Sequence, residues 1–147
     1  NPPKEKINWI KEGFKRKEFY LIESSCGELI GMVRIMNKDI VYWGKMNDKA
    51  IYIHSLIIKE KFKGNKIGRN VIQLIKENSK NKEIDLIRLD CDNNNKKLCY
   101  YYENIGFQKV GEKQLALGKY NLYEKCLKHK HNKKNEHQKL TSRNQWK

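Results

Sequence analysis

The stretch from Ala50 to Arg69, AIYIHSLIIKEKFKGNKIGR, constrains the fold more than any other part of the chain. Ile51 to Ile58 is an apolar run rich in β-branched residues, which predicts a buried strand. A charged turn over Lys59 to Lys63 follows, and Gly64-Asn65-Lys66-Ile67-Gly68 then opens a helical pattern. A strand feeding a glycine-bearing turn at a helix N-terminus forms an anion site. The first-turn N–H groups point outward there, and the helix dipole favours negative charge. A phosphate group suits that place, although glycines at such a junction also serve as plain turn chemistry.

The 147 residues amount to one domain, long enough to bury a core. The formal net charge of +15 is partly local. Lys128 to Lys147 holds seven Lys/Arg against the single acid Glu136, so this tail carries +6 and the remainder +9. Such a field suits nucleic acid, a membrane surface or a phosphorylated cofactor; a solvated Lys/Asn-rich surface gives the same count. Cys26, Cys91, Cys99 and Cys126 have no CxxC spacing, which argues against a zinc site. With no signal peptide and no membrane-length apolar run, free thiols in a reducing cytoplasm are expected.

Periodicity predicts a helix over Lys4 to Lys17, carried by Ile7, Ile10 and Phe14. Strands at Phe19 to Ile22 and Leu29 to Ile35 make a hairpin around Ser24-Ser25-Cys26-Gly27. Met36 to Lys49 reads as an irregular loop around Trp43-Gly44, with Asp39 and Asp48 near its ends. After the central strand, Ile67, Val71, Leu74, Ile75 and Asn78 stripe a helix to about Lys80, and Ile84 to Cys91 is a further buried strand. Leu98, Tyr101, Tyr102 and Ile105 stripe a second helix stopped by Gly106. Phe107 to Val110 and Tyr120 to Leu127 are closing strands, connected through Gly111 and a loop from Leu115 to Gly118. Antiparallel strands followed by alternating strands and helices indicate a mixed α/β sheet. Residues 1–127 form the domain, and 128–147 a basic tail expected to be disordered.

The order of these elements, with Asn95-x-x-Leu98-x-x-x-Tyr102-x-x-x-Gly106-Phe107 in the second half, resembles the GNAT superfamily of N-acetyltransferases. Tyr-Ile-His-Ser-Leu on the central strand and Leu-Asp-Cys on the next look like a bacterial branch of it. The resemblance spans roughly residues 7 to 127. It implies a mixed, mostly antiparallel twisted sheet with flanking helices. Too few residues precede Phe19 to supply both the first strand and the first helix usual in that family.

The implied reaction moves acetyl from acetyl-CoA to a primary amine, by direct attack in a ternary complex. The backbone of Leu56, Ile57 and Ile58 would then run along the pantetheine arm. Lys63, Gly64, Asn65, Lys66, Ile67, Gly68 and Arg69 would surround the pyrophosphate. The family's turn reads Arg/Gln-x-x-Gly-x-Gly/Ala; here Lys63 replaces the first residue, Lys66 the middle glycine, and Gly68 matches. Asn95 caps its helix or touches the pantetheine. Tyr102 matches the family's proton donor to the departing thiolate, the alternative being a core aromatic, which is the reading for Tyr100 and Tyr101. His54 stands where many members carry a Glu base; a strand histidine satisfied by a backbone carbonyl is the alternative. Cys91 and Cys99 read as packing residues, and His129, His131 and His137 as solvent-exposed.

No metal is implied. The acceptor is a small amine or a protein amine, the oligomeric state monomer or dimer, and a membrane is not a partner. A non-catalytic module that binds acetyl-CoA, or nucleic acid through the basic tail, is the competing reading.

The tail has no apolar stripe with which to offset its ordering entropy. Ending the chain after Lys128 is therefore expected to leave the thermal midpoint nearly unchanged. A fall of many degrees in a melting experiment would show that the tail packs on the core.

Overall fold

The computed structural model describes residues 4–80 and 82–128. The expected tail, apart from Lys128, and the prolines ahead of Lys4 lie outside the described residues. The elements are α1 (Lys4–Lys15), β1 (Phe19–Glu23), β2 (Leu29–Met36), α2 (Ile40–Trp43), β3 (Ala50–Ile58), α3 (Ile67–Lys80), β4 (Leu86–Asp92), α4 (Lys96–Asn104), β5 (Gln108–Leu115) and β6 (Gly118–Cys126). A 3₁₀ turn, Glu60–Phe62, lies between β3 and α3. Six strands form one sheet in the order β1-β2-β3-β4-β6-β5. Only β3 and β4 run parallel, and α3 is the crossover that a parallel pair requires. The other pairs are antiparallel, as hairpin-length connections allow.

Strand alternation divides the burial between two faces. On one face Val33, Ile51, Ile53, Ile87, Leu89, Cys91 and Tyr123 meet Val71, Ile72 and Ile75 of α3 and Cys99 and Tyr102 of α4. On the other, Met36, Ala50 and Tyr52 pack with Trp9, Trp43 and Leu86. This second face also buries two arginines. Arg34 donates to Glu18 at 2.5 and 2.9 Å and to the Trp9 carbonyl at 3.1 Å, beneath the Trp9 ring. Arg88 donates to Asp48, Glu124 and the Tyr52 hydroxyl at 2.8, 2.8 and 3.0 Å. A guanidinium leaves water at tolerable cost only when its donors are met in this way.

Four local expectations change. The loop from Met36 to Lys49 contains the single turn α2, because Asp39 caps it by accepting from the Tyr42 amide at 3.2 Å. The buried stripe of α3 is Val71, Ile72, Ile75 and Ser79, whereas Leu74 is 59% exposed and Asn78 is exposed. Leu74 and Asn78 instead border a cavity of about 630 Å³ between α3 and the β1–β2 hairpin, where no helix covers the sheet among the described residues. Leu98 on α4 is likewise exposed, and the buried side chains there are Cys99 and Tyr102. Gly111 lies inside β5 at a register shift rather than in a connection, so β5 is longer than expected.

Ile87 is fully buried at the centre of the apolar face. Ile87→Ala should cost about 2–5 kcal/mol, the range for a core deletion that leaves a cavity. Leu21→Ser, at a position 67% exposed, should stay within about 0.5 kcal/mol. Urea denaturation of the two variants measures both.

Candidate active site

The site begins where two strands part. β3 and β4 pair from Ala50–Leu86 to Ile53–Leu89 and no further. Beyond that point β3 stays with β2 as far as Gly31–Ile58, while β4 stays with β6 as far as Asp92–Tyr120. The cause is local. Ser55 adopts a left-handed φ of 50°, and the register shifts opposite Val33, so β3 carries a bulge that turns it away. Leu56, Ile57 and Ile58 therefore lie on the diverging arm, with Leu56 half-buried against the apolar core and Ile57 exposed.

His54 and Asp90 are the first residues past the last pair, and both lie on the face of Tyr52 and Arg88. His54 Nε2 is 2.6 Å from Asp39 Oδ2, and Nδ1 is 3.1 Å from Asp90 Oδ1. All three side chains are at least nine-tenths buried. Trp9 from α1 meets the imidazole edge-on at 6.0 Å, and Tyr42 from α2 lies 5.3 Å away with Tyr120 against it. The alternative of a backbone carbonyl partner for His54 gives way to two carboxylates.

Asp90 Oδ1 is off the direction that a hydrogen bond to Nδ1 would take, and this buried oxygen has no hydrogen-bond partner among the described residues. Burial alone would push the His54 pKa down. The hydrogen bond to Asp39 and the charges of Asp90 and Asp39 outweigh it against Arg34, and the pKa is raised. Burial lifts the Asp90 carboxyl to about 6, His54 opposing and Asp39 assisting. One ligand atom from each of Asp39, His54 and Asp90 lies within 4.8 Å of the others. The carboxylates face opposite ring nitrogens, however, and a single ion can take only one of them. The arrangement suits proton holding better than metal coordination.

The glycine-bearing turn leads from β3 through the 3₁₀ turn into α3. Gly64 has φ 83° and Lys66 φ 57°, so lysine occupies the left-handed conformation where the family pattern has glycine. The Asn70 amide bonds the Lys66 carbonyl at 3.0 Å, which leaves the amides of Ile67, Gly68 and Arg69 in the first turn of α3 without a partner among the described residues. Asn65 Nδ2 donates to the Phe62 carbonyl, and Lys63 pairs with Glu60 at 2.5 Å. Gly68 has a packing reason as well. A Cβ there would come within 3.3 Å of the Tyr101 hydroxyl.

Asn95 caps α4, accepting from the Leu98 amide at 3.1 Å. Tyr102 is buried against Tyr101, Phe107 and Tyr123, and its hydroxyl makes no hydrogen bond among the described residues. It stands on the face opposite His54. Burial, then Cys91, Tyr101 and Asp90, raise its pKa well above the ordinary phenol. Tyr100 is 66% exposed and is not a core aromatic, and Tyr101 is half-buried over the turn. Cys91 and Cys99 are buried 3.5 Å apart, and burial holds the Cys91 thiol up at about 12, which fits packing. Asp39 and Asp90 were missed as site residues. Their only sequence signals are one of two acids in a loop and an acid near the end of a buried strand.

Residues 2–107 match the family model described as the acetyltransferase (GNAT) family. A GNAT-family acetyltransferase structure from Listeria monocytogenes is 29% identical, with TM-score 0.68, over 80% of this chain and 69% of that one. An aminoglycoside 6'-N-acetyltransferase complexed with coenzyme A superposes at TM-score 0.62 with 14% identity, covering 88% and 84% of the two chains. A spermidine N-acetyltransferase variant from Vibrio cholerae gives 0.64 and 16%, over 88% and 78%. Among curated proteins nothing matches. No helix of the described residues is long and apolar enough to cross a membrane.

Because His54 and Asp90 both hold their protons more tightly folded than unfolded, the native state binds the extra protons and stability falls as pH rises. For Asp90 the loss runs from its ordinary 3.8 to about 6, and for His54 it begins at its ordinary 6.5. Asp90→Asn should remove the first loss and weaken the second. In urea denaturation between pH 4.5 and 7.5, wild type should lose stability relative to this variant as pH increases. Parallel curves would sink the assignment.

Proposed function

The chain belongs to the acetyltransferase (GNAT) family, and from that membership we propose that it transfers acetyl from acetyl-CoA to a primary amine. The observation that carries the proposal is the parting of β3 and β4 after Ile53–Leu89. It leaves strand backbone at Leu56, Ile57 and Ile58 without a β4 partner, between the free first turn of α3 and the His54 cluster. These features fit a long, anionic thioester cosubstrate. Ile67, Gly68 and Arg69 would offer amides, and Lys63 and Lys66 charge, to its pyrophosphate. Gly64 and Asn65 shape that turn, and Asn95 fixes the start of α4.

Bound acetyl-CoA supplies an activated acetyl group; the chain's task is to manage two protons. An alkylamine arrives as an ammonium and must lose one before direct attack in the ternary complex. His54 is the group to accept it, since its second-nearest carboxylate leaves room for a proton on Nδ1. As the carbon–nitrogen bond forms, the carbon–sulfur bond breaks and negative charge collects on sulfur. The attacking nitrogen sheds its second proton as the carbon–sulfur bond breaks, and that proton passes to the sulfur. The Tyr102 hydroxyl, without a hydrogen-bond partner among the described residues, would donate to the sulfur as its charge builds. With its pKa raised so far above a thiol's ordinary 8.5, it acts by hydrogen bonding in the transition state rather than by complete proton release.

The acceptor is a small amine or a protein amine. A screen of amines with a thiol-detecting reagent identifies it, and absence of thiol release with every amine would defeat the proposal.

Tyr102→Phe removes one oxygen and keeps the ring. The kcat should drop by about 10²–10⁴, the range for a positioned acid, while the affinity for acetyl-CoA stays within a few-fold. Tyr101→Phe is the control and should change kcat little. Near-full turnover by the Tyr102 variant, or a larger loss in the control, would reverse the assignment.

A further inference from the structure

His54 is contacted on both ring nitrogens by buried carboxylates from different elements, Asp39 ahead of α2 and Asp90 on β4. We propose that Asp39 and Asp90 are positioning residues that make His54 a usable base, Asp39 by fixing the tautomer and Asp90 by setting the proton affinity of Nδ1. The inference rests on the reading of His54 as the proton acceptor.

The division of labour follows from the hydrogen bonds. Asp39 already accepts from the Tyr42 amide through Oδ1 at 3.2 Å, so its other oxygen meets Nε2 as an acceptor. At 2.6 Å this is a charge-assisted contact, and it keeps the hydrogen on Nε2. The lone pair of neutral His54 therefore sits on Nδ1. Asp90 Oδ1, the buried oxygen without a hydrogen-bond partner among the described residues, is 3.1 Å from that nitrogen. A carboxylate this close in a water-poor site favours the protonated ring through its charge, although it is off the hydrogen-bond direction. When the acceptor's ammonium gives up a proton, its N–H bond breaks and an Nδ1–H bond forms. The positive charge moves from the amine onto an imidazolium held between two carboxylates, and Asp90 gains a cation beside it.

The other groups facing His54 do not replace this pair. Arg34, from β2, opposes protonation, but its charge is spent on Glu18. Tyr42, from α2, has its own pKa raised by burial, then by Asp90, Tyr120 and Asp39, and stays neutral. Trp9, from α1, carries no titrating group.

The titration needs no acceptor. The 147-residue chain is labelled with ¹⁵N-histidine, His54 is identified by the signals that His54→Gln removes, and its imidazole shifts are followed against pH. Wild-type His54 should titrate above its ordinary value and carry its neutral-form proton on Nε2. Asp39→Asn should mix the tautomers. Asp39→Asn and Asp90→Asn should each lower the midpoint by about one to three pH units, the range for an opposite charge at this separation. Circular dichroism checks that both variants fold. Should either fail, Asp39→Glu or Asp90→Glu replaces it, and the raised midpoint should persist because the charge remains.

An ordinary wild-type midpoint, or one that neither substitution moves, overturns the inference. Thiol release by His54→Gln separates this from the reading beneath it. If that variant keeps wild-type turnover below neutral pH, His54 is not the base, whatever the shifts show. If turnover needs His54 but the midpoint ignores both carboxylates, only the present inference falls.

Discussion

The bulge at Ser55 governs this molecule. A single left-handed residue in the central strand ends the only parallel pairing in the sheet after Ile53–Leu89 and divides the six strands into two diverging ribbons. A left-handed non-glycine residue costs about 1–3 kcal/mol and persists only where its surroundings enforce it. Here the enforcement is the apolar layer beneath. Ile51 and Ile53 enter the core before the bulge, and Leu56, three rather than two positions later, packs on the same side after it. The extra residue preserves burial on both arms while opening a gap between them.

The two faces of the sheet do different work around that gap. The face under α3 and α4 is nearly all hydrocarbon, aromatic ring and thiol. The opposite face is ionic, with Arg34, Arg88, His54, Asp39 and Asp90 buried beside Trp9, Trp43 and Tyr52. Every guanidinium nitrogen of both arginines donates to a named oxygen, whereas the His54 cluster leaves one carboxylate oxygen without a hydrogen bond among the described residues. The satisfied pairs fix the scaffold. The unsatisfied one is the place proposed above for proton transfer.

Strand and helix order was legible because β-branched runs and helical stripes report burial directly, as in Ala50–Ile58 and Lys96–Asn104. The strand-to-helix turn at Gly64 to Gly68 was legible because its glycines stand between an apolar run and a helical stripe. What escaped was set by pairing between distant segments. No local pattern around Ser55 announces a bulge, and nothing in Asp39 or Asp90 alone says that one histidine will lie between them. The α3 stripe was misread at Leu74 and Asn78 because periodicity assumes a helix covered along its whole inner face. Here the sheet beside it stays open over β1 and β2.

Lys66 adds a last consequence. Holding a lysine in the left-handed region costs about 1 kcal/mol at the low end of such strain. A glycine in its place would escape that strain but forfeit about 0.5–1 kcal/mol in additional chain entropy on folding. The two terms nearly cancel. The turn thus carries an exposed lysine on a left-handed backbone at almost no expense to the fold.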